Sequence, residues 1–252
     1  MINTVVRTTL CCLALFIVQL SDVSAQSASF TEANTKYQSG AFKGAIEGYE
    51  SILKSGKETA ALDYNLGNAH FRLGHLGEAL LFYERALKIA PRNADILWNI
   101  DIVKSAVVDR MEPADEGWII TEVKKVTDSL TINENALILS AILLLFMGVT
   151  LIVFVFPVLK PIIRGLNGLI LAAFLAAAIL FGVKWMEVKD PRVVILDKEV
   201  EARYGPSNKE TKAFTLHEGA EAKITDETQD WFYTELENKS SGWIPKKSCE
   251  VI

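Results

Sequence analysis

Residues 64–91, YNLGNAHFRLGHLGEALLFYERALKIAP, decide the reading of the N-terminal half: small residues, aromatics and leucines recur at regular intervals, and no group is arranged for catalysis. The segment GHLGEALLFYERAL at 74–87 repeats GAFKGAIEGYESIL at 40–53, a displacement of 34 residues. Gly67 and Ala79 let two antiparallel helices approach closely, while Tyr83 and Ala86 alternate large and small side chains in the contact. Pro91 ends the second helix, because its ring cannot continue the backbone ladder.

A 34-residue period is that of the tetratricopeptide repeat, which the stretch resembles at Leu66, Gly67, Phe71, Gly74, Ala79, Tyr83, Ala86 and Pro91. An earlier unit, about 26–59, fits at Ala33, Tyr37, Gly40, Phe42, Ala45 and Tyr49, with Lys57 in place of the closing proline. A third begins at ADILWNIDIVKSAVVDR, where Asn99-Ile100 follows Asn65-Leu66 by 34 residues, but Asp101 replaces the glycine and no partner helix follows. It reads as a capping helix, closing a domain over 26–110. The repeat resemblance implies a concave face carrying Asn34, Asn65, Asn68 and Asn99, with Tyr64, Phe71, Arg72 and Trp98 beside them. Two readings of the amides stand: they hold an extended peptide backbone, or they are solvated and tie the helices together. Phe30, Tyr64 and Trp98 occupy positions where a dicarboxylate clamp needs lysines, so capture of a C-terminal carboxylate is not expected.

Half of the residues are hydrophobic and the mean hydropathy is +0.22, which points to a membrane component. Against 31 acidic residues stand 26 basic ones, a net charge of -5 with no basic block, which argues against a nucleic-acid partner. Residues 1–25 read as a secretory signal: Arg7, an apolar run from Leu10 to Leu20, and Val23-Ser24-Ala25 before the cut. After a linker, residues 111–135 include WIITEVKKVTDSL, whose Ile119, Val123, Val126 and Leu130 make one apolar helical face. That helix lies at the membrane interface or against the repeats. Residues 136–159 and 166–186 predict two membrane-spanning helices joined by a short basic loop, 160–165. With the signal placing the repeats outside, Lys160 and Arg164 in that loop face the cytoplasm.

From 191 to 252 the character changes to short alternating strands separated by Gly-Pro, Glu-Gly and Asn-Lys-Ser-Ser-Gly turns. Tyr204-Gly205-Pro206-Ser207, Leu216-His217-Glu218-Gly219, Asp230-Trp231-Phe232 and Gly242-Trp243-Ile244-Pro245 resemble a bacterial SH3-like barrel. Its groove candidates are Tyr204, Trp231, Trp243 and Pro245, with burial of the tryptophans in the core as the competing reading. The expected fold is thus a multidomain membrane protein: all-α repeat hairpins, two transmembrane helices and an all-β SH3-like barrel.

This order of modules resembles the Bat aerotolerance-operon family, with YNLGNAHFRLG, YERALKIAPRNADILWNI, VDRMEP, LHEGAEAKI, DWFYTEL and GWIPKKSCEVI carrying the likeness. The resemblance implies an envelope protein; with the signal at 1–25, that is a protein of the bacterial inner (cytoplasmic) membrane with repeats and SH3-like domain on the extracytoplasmic side. It also implies work with von Willebrand A domain membrane proteins and an AAA-type ATPase in tolerance of oxidative or envelope stress. The function expected is a non-enzymatic scaffold that binds proteins through its repeats; the alternative is a sensor or anchor whose barrel binds wall peptides.

No catalytic constellation, cofactor motif or metal motif emerges. His70 and His75 are five apart, where four would align two ligands on one helix face, and Gly74 lies between them. HEGAE at 217–221 lacks the second histidine of a zincin motif. Cys249 reads as a buried spectator thiol or, alternatively, as half of an intermolecular disulfide.

Overall fold

The computed structural model describes residues 28–109, 117–189 and 191–252. The expected signal at 1–25 and most of the linker before Gly117 lie outside the described residues. The N-terminal region is helical: α1 (28–38), α2 (Phe42–Lys54), α3 (Ala60–Leu73), α4 (Leu76–Ile89) and α5 (Ala94–Ala106). Local chemistry sets the ends. The Thr59 hydroxyl accepts from the Leu62 N–H and Asn93 accepts from the N–H groups of Asp95 and Ile96, so two helix starts satisfy donors that the helix cannot. Gly74, at φ +79°, ends α3 in the left-handed conformation. α4 stops at Ile89, ahead of Pro91, as the restricted residue before a proline requires.

The repeat helices bury one another as the alternation predicts. A methyl group on Gly67 would stand 2.5 Å from the Tyr83 ring, and one on Gly48 would stand 2.9 Å from Ala33 Cβ. Leu62, Leu66, Ala69, Tyr49 and Phe82 share one buried cluster, and Ala79, Leu80, Tyr83, Ala86, Ile96 and Ile100 belong to the next.

Beyond them, α6 (Trp118–Asp128) lies against α8, and α7 (Ile132–Val155) forms a hairpin with α8 (Lys160–Val188). A capping box between Thr131 and Glu134 fixes the start of α7. Residues 132–152 and 157–186 are two segments long and apolar enough to cross a membrane. In their contact the Asn167 Nδ2 donates to Thr150 Oγ1 at 2.9 Å, the kind of small polar bond that holds helices together in lipid. The apolar face expected on α6 differs in one respect. Thr127 is buried, whereas Val126 of the expected face is 48% exposed.

The C-terminal region is one antiparallel sheet of seven strands, in the order β3-β2-β6-β5-β4-β1-β7. They are β1 (Arg192–Ile195), β2 (Glu199–Arg203), β3 (Lys212–His217), β4 (Glu221–Glu227), β5 (Trp231–Glu235), β6 (Ser241–Pro245) and β7 (Cys249–Val251). Val193 and Cys249 at one end of that order share a core with Leu216 at the other, so the sheet curls upon itself. It does not close into the expected barrel: β3 and β7 are its two end strands. From outside the sheet, side chains of α4 reach the free edge of β7. Arg85 donates to the Val251 carbonyl at 3.0 Å and Lys88 to that of Ile252 at 2.7 Å.

Candidate functional site

The predicted asparagines fall on α1, α3 and α5, and they form a ladder. Asn34 Oδ1 accepts from the Tyr49 hydroxyl at 2.6 Å and from Asn65 Nδ2 at 3.0 Å. One repeat further on, Asn68 Oδ1 accepts from Tyr83 at 2.8 Å and from Asn99 Nδ2 at 3.1 Å, and that Nδ2 also donates to the Tyr64 hydroxyl at 3.2 Å. The two units repeat the same bond with the same partner types. Burial pushes the Tyr49 phenol up to about 12 and raises that of Tyr83 as well, so both hydroxyls stay protonated donors.

Within these bonds each amide spends one polar atom, and in alternation. Asn34 and Asn68 use the oxygen, whereas Asn65 and Asn99 use the nitrogen. The unused atoms, Nδ2, Oδ1, Nδ2 and Oδ1 in turn, are not buried orphans. In chain order they make a row of alternating donors and acceptors. Beside this row Trp98 is 68% exposed, and Arg72 lies over the Phe42 ring at 5.0 Å. Phe71 is instead partly buried against the repeat core.

The sheet docks on the repeats, which no sequence spacing announced. Val194 belongs to the same buried cluster as Leu80, Tyr83 and Val103, and Leu196 and Ile252 pack against it. Two glycines make room: a methyl on Gly77 would meet the Ile195 carbonyl at 2.5 Å, and one on Gly219 would meet Val107 Cγ2 at 2.5 Å. Polar groups register the seam. Gly77 N–H donates to Glu218 Oε1 at 3.1 Å, Arg85 pairs with Glu250 at 2.7 Å, and His217 Nδ1 lies 3.0 Å from Asp109 Oδ1. Lys104 bridges Glu84 at 2.8 Å and Glu221 at 3.0 Å. Burial opposes the charge on Lys104, but the two glutamates outweigh it and raise its pKa. Burial and the neighbouring Glu84 raise that of Glu221.

On the sheet, the candidates divide. Trp231 is paired with Pro245 and Tyr233 with Trp243, so all four lie on the face opposite the core residues Phe232 and Ile244, but Trp231 is itself buried, at 8% exposure. Tyr233 and Trp243 are in contact, with ring centroids 5.1 Å apart. Trp231, Pro245 and Lys246 line an open groove with Asn208 and Asp230. Tyr204 is not among its lining residues and is 71% exposed. Cys249 is buried, and burial, reinforced by Asp197 and Glu250, pushes its thiol up to about 12.

Two further sites escaped the sequence reading. Asp63 is fully buried, and neither carboxylate oxygen has a hydrogen-bond partner among the described residues. Burial, then the nearby Glu58 charge, lifts its pKa to about 7 against the pull of Arg85. His70 is also buried with both ring nitrogens unpartnered, and burial lowers its pKa to about 4. Its ring stacks on Phe82 at 5.4 Å and lies 5.7 Å from the His75 ring.

Residues 30–94 match the family model described as tetratricopeptide repeat, the segment that contains α2, α3, α4 and the ladder's first three asparagines. No match was found among the curated proteins.

Proposed function

We propose that the chain is a non-enzymatic, membrane-anchored scaffold that binds partner proteins through the amide-lined face of its repeats. The tetratricopeptide match supports a protein-interaction role in general. The observation that carries the specific site is the alternation of unused Nδ2 and Oδ1 atoms across Asn34, Asn65, Asn68 and Asn99. An extended peptide presents the complementary alternation of C=O and N–H groups. Exposed Trp98 adds an apolar anchor at one end of that row.

Anchoring fits the same picture. The two apolar helices form a hairpin, and a hairpin that crosses a membrane twice leaves its flanking regions on one side. Repeats and sheet, which contact one another, are those flanking regions. In this reading both face outward from the inner (cytoplasmic) membrane of a bacterium, and the sheet is an SH3-like module. The partners expected are von Willebrand A domain membrane proteins with an AAA-type ATPase system, in a Bat-type complex for oxidative or envelope stress. A second reading, in which the sheet senses or anchors to wall peptides, has its own support in the face shared by Trp231, Tyr233, Trp243 and Pro245.

Affinity purification of the full chain in mild detergent, followed by mass spectrometry, separates the two. Wild type is expected to retain von Willebrand A domain proteins. Asn65→Ala combined with Asn68→Ala is expected to lose them, and Trp98→Ala to recover roughly tenfold less, as for an exposed aromatic hot spot. Trp98 is the cleaner probe, because its exposure leaves folding intact. Wall fragments in place of those proteins would overturn the scaffold and favour the sheet.

A further inference from the structure

We infer that His70, His75 and Glu78 form a binding site for a divalent transition metal, zinc foremost, at the seam between the repeats and the C-terminal sheet. One ligand atom from each lies within 4.8 Å of the other two. The backbone creates this meeting. Gly74 turns the chain in the left-handed conformation at the end of α3, and the His75 N–H returns to the His70 carbonyl at 3.1 Å. That reversal brings His75 back beside His70, although five residues would separate them by more than one turn on a continuous helix. Glu78 follows in the first turn of α4, on the same side of the loop.

His70 supplies the observation that calls for a ligand. It is only 8% exposed, and neither ring nitrogen has a partner among the described residues. Buried polar groups in folded proteins are rarely left so, and a metal ion would provide the missing partner for one nitrogen. Its ring is already fixed against Phe82. Of the other two donors, His75 stands at the helix cap position without capping through its side chain, and the Glu78 carboxylate is held by its own backbone N–H. Zinc with bonds of about 2.0–2.1 Å holds tetrahedral donors about 3.3 Å apart. Closing from 4.8 Å asks only for side-chain rotations by exposed His75 and half-buried Glu78.

Two imidazoles and one carboxylate suit zinc and its neighbours rather than calcium or magnesium, which take oxygen ligands. The set leaves the fourth zinc position to water. Location gives the ion a consequence. Gly77, next to Glu78, donates its N–H to Glu218 Oε1 on a turn of the sheet at 3.1 Å. A cation held by His70, His75 and Glu78 staples the α3–α4 loop where Gly77 meets Glu218.

The full chain, purified in detergent with a tag free of histidine and stripped with chelator, is titrated with Zn2+ by calorimetry and with Co2+ by visible absorption. One ion per chain is expected, with micromolar affinity or tighter, the strong visible bands of four-coordinate Co2+, and a rise in Tm on adding Zn2+. His75→Ala and Glu78→Gln should each weaken binding roughly tenfold or more. His217→Ala should leave affinity unchanged. Since His75 is exposed and makes no cap bond, its variant keeps the fold, which circular dichroism checks. Absence of stoichiometric binding by wild type, or full affinity retained in His75→Ala, overturns the site.

Discussion

At the scale of single residues, the least comfortable group in the repeats is Asp63, buried and without a hydrogen-bond partner among the described residues. Its pKa rises from an ordinary 3.8 to about 7, so the folded chain holds this proton more tightly than the unfolded chain does. The stability linked to that proton is full below about pH 4 and is lost as pH rises through about 7. Asp63→Asn cannot ionise and escapes the loss. Its advantage in Tm over wild type should grow from pH 4.5 to pH 8, reaching a free-energy difference of up to ~4 kcal/mol. Thermal unfolding at both pH values checks this; parallel profiles for the two proteins would refute it. Neither Asp63 nor the His70–His75 pair was legible in sequence. A carboxylate in a helix reads as solvated until its neighbours are known, and the histidine spacing misleads because Gly74 breaks the helix between them.

At the scale of elements, the repeats were the most legible part, because a recurring 34-residue unit writes its own contacts locally: Gly67 faces Tyr83 as the alternation requires. The amide ladder was half legible. The repeat resemblance implies one face for the asparagines, while their bonds to Tyr49, Tyr83 and to one another show that they tie repeat to repeat. The seam was not legible, since its contacts join residues more than 100 positions apart, such as Gly77 with Glu218. The same holds at the sheet edge: nothing near β7 in sequence reveals that Arg85 and Lys88 bond there. Lys104→Met tests the seam by leaving Glu84 and Glu221 to repel each other. A loss of about 1–2 kcal/mol is expected, reduced because the lysine side chain is 42% exposed. Hydrogen exchange should then quicken at Val193–Ile195 and on α4. Exchange confined to α5 would mean that the lysine does not hold the sheet.

At the scale of the whole molecule, the proposed scaffold requires repeats and sheet to form one unit on the same side of a membrane, flanking the apolar hairpin. Arg92 of the repeat region reaches down to Glu134 at the start of α7, bonding Oε1 at 2.5 Å, and to the Ser129 carbonyl at 3.0 Å. The repeat face is thus tied to the hairpin as well as to the sheet. Single cysteines placed at Trp98 on the repeats, Lys239 on the sheet and Lys160 in the hairpin turn, each in a chain with Cys11, Cys12 and Cys249 all replaced by serine, test this arrangement with a membrane-impermeant maleimide. All three positions are exposed. In spheroplasts the account predicts rapid labelling at Trp98→Cys and Lys239→Cys alike, and protection of Lys160→Cys until the membrane is permeabilised. Labelling of only one of the first two would place repeats and sheet on opposite sides and contradict the central claim.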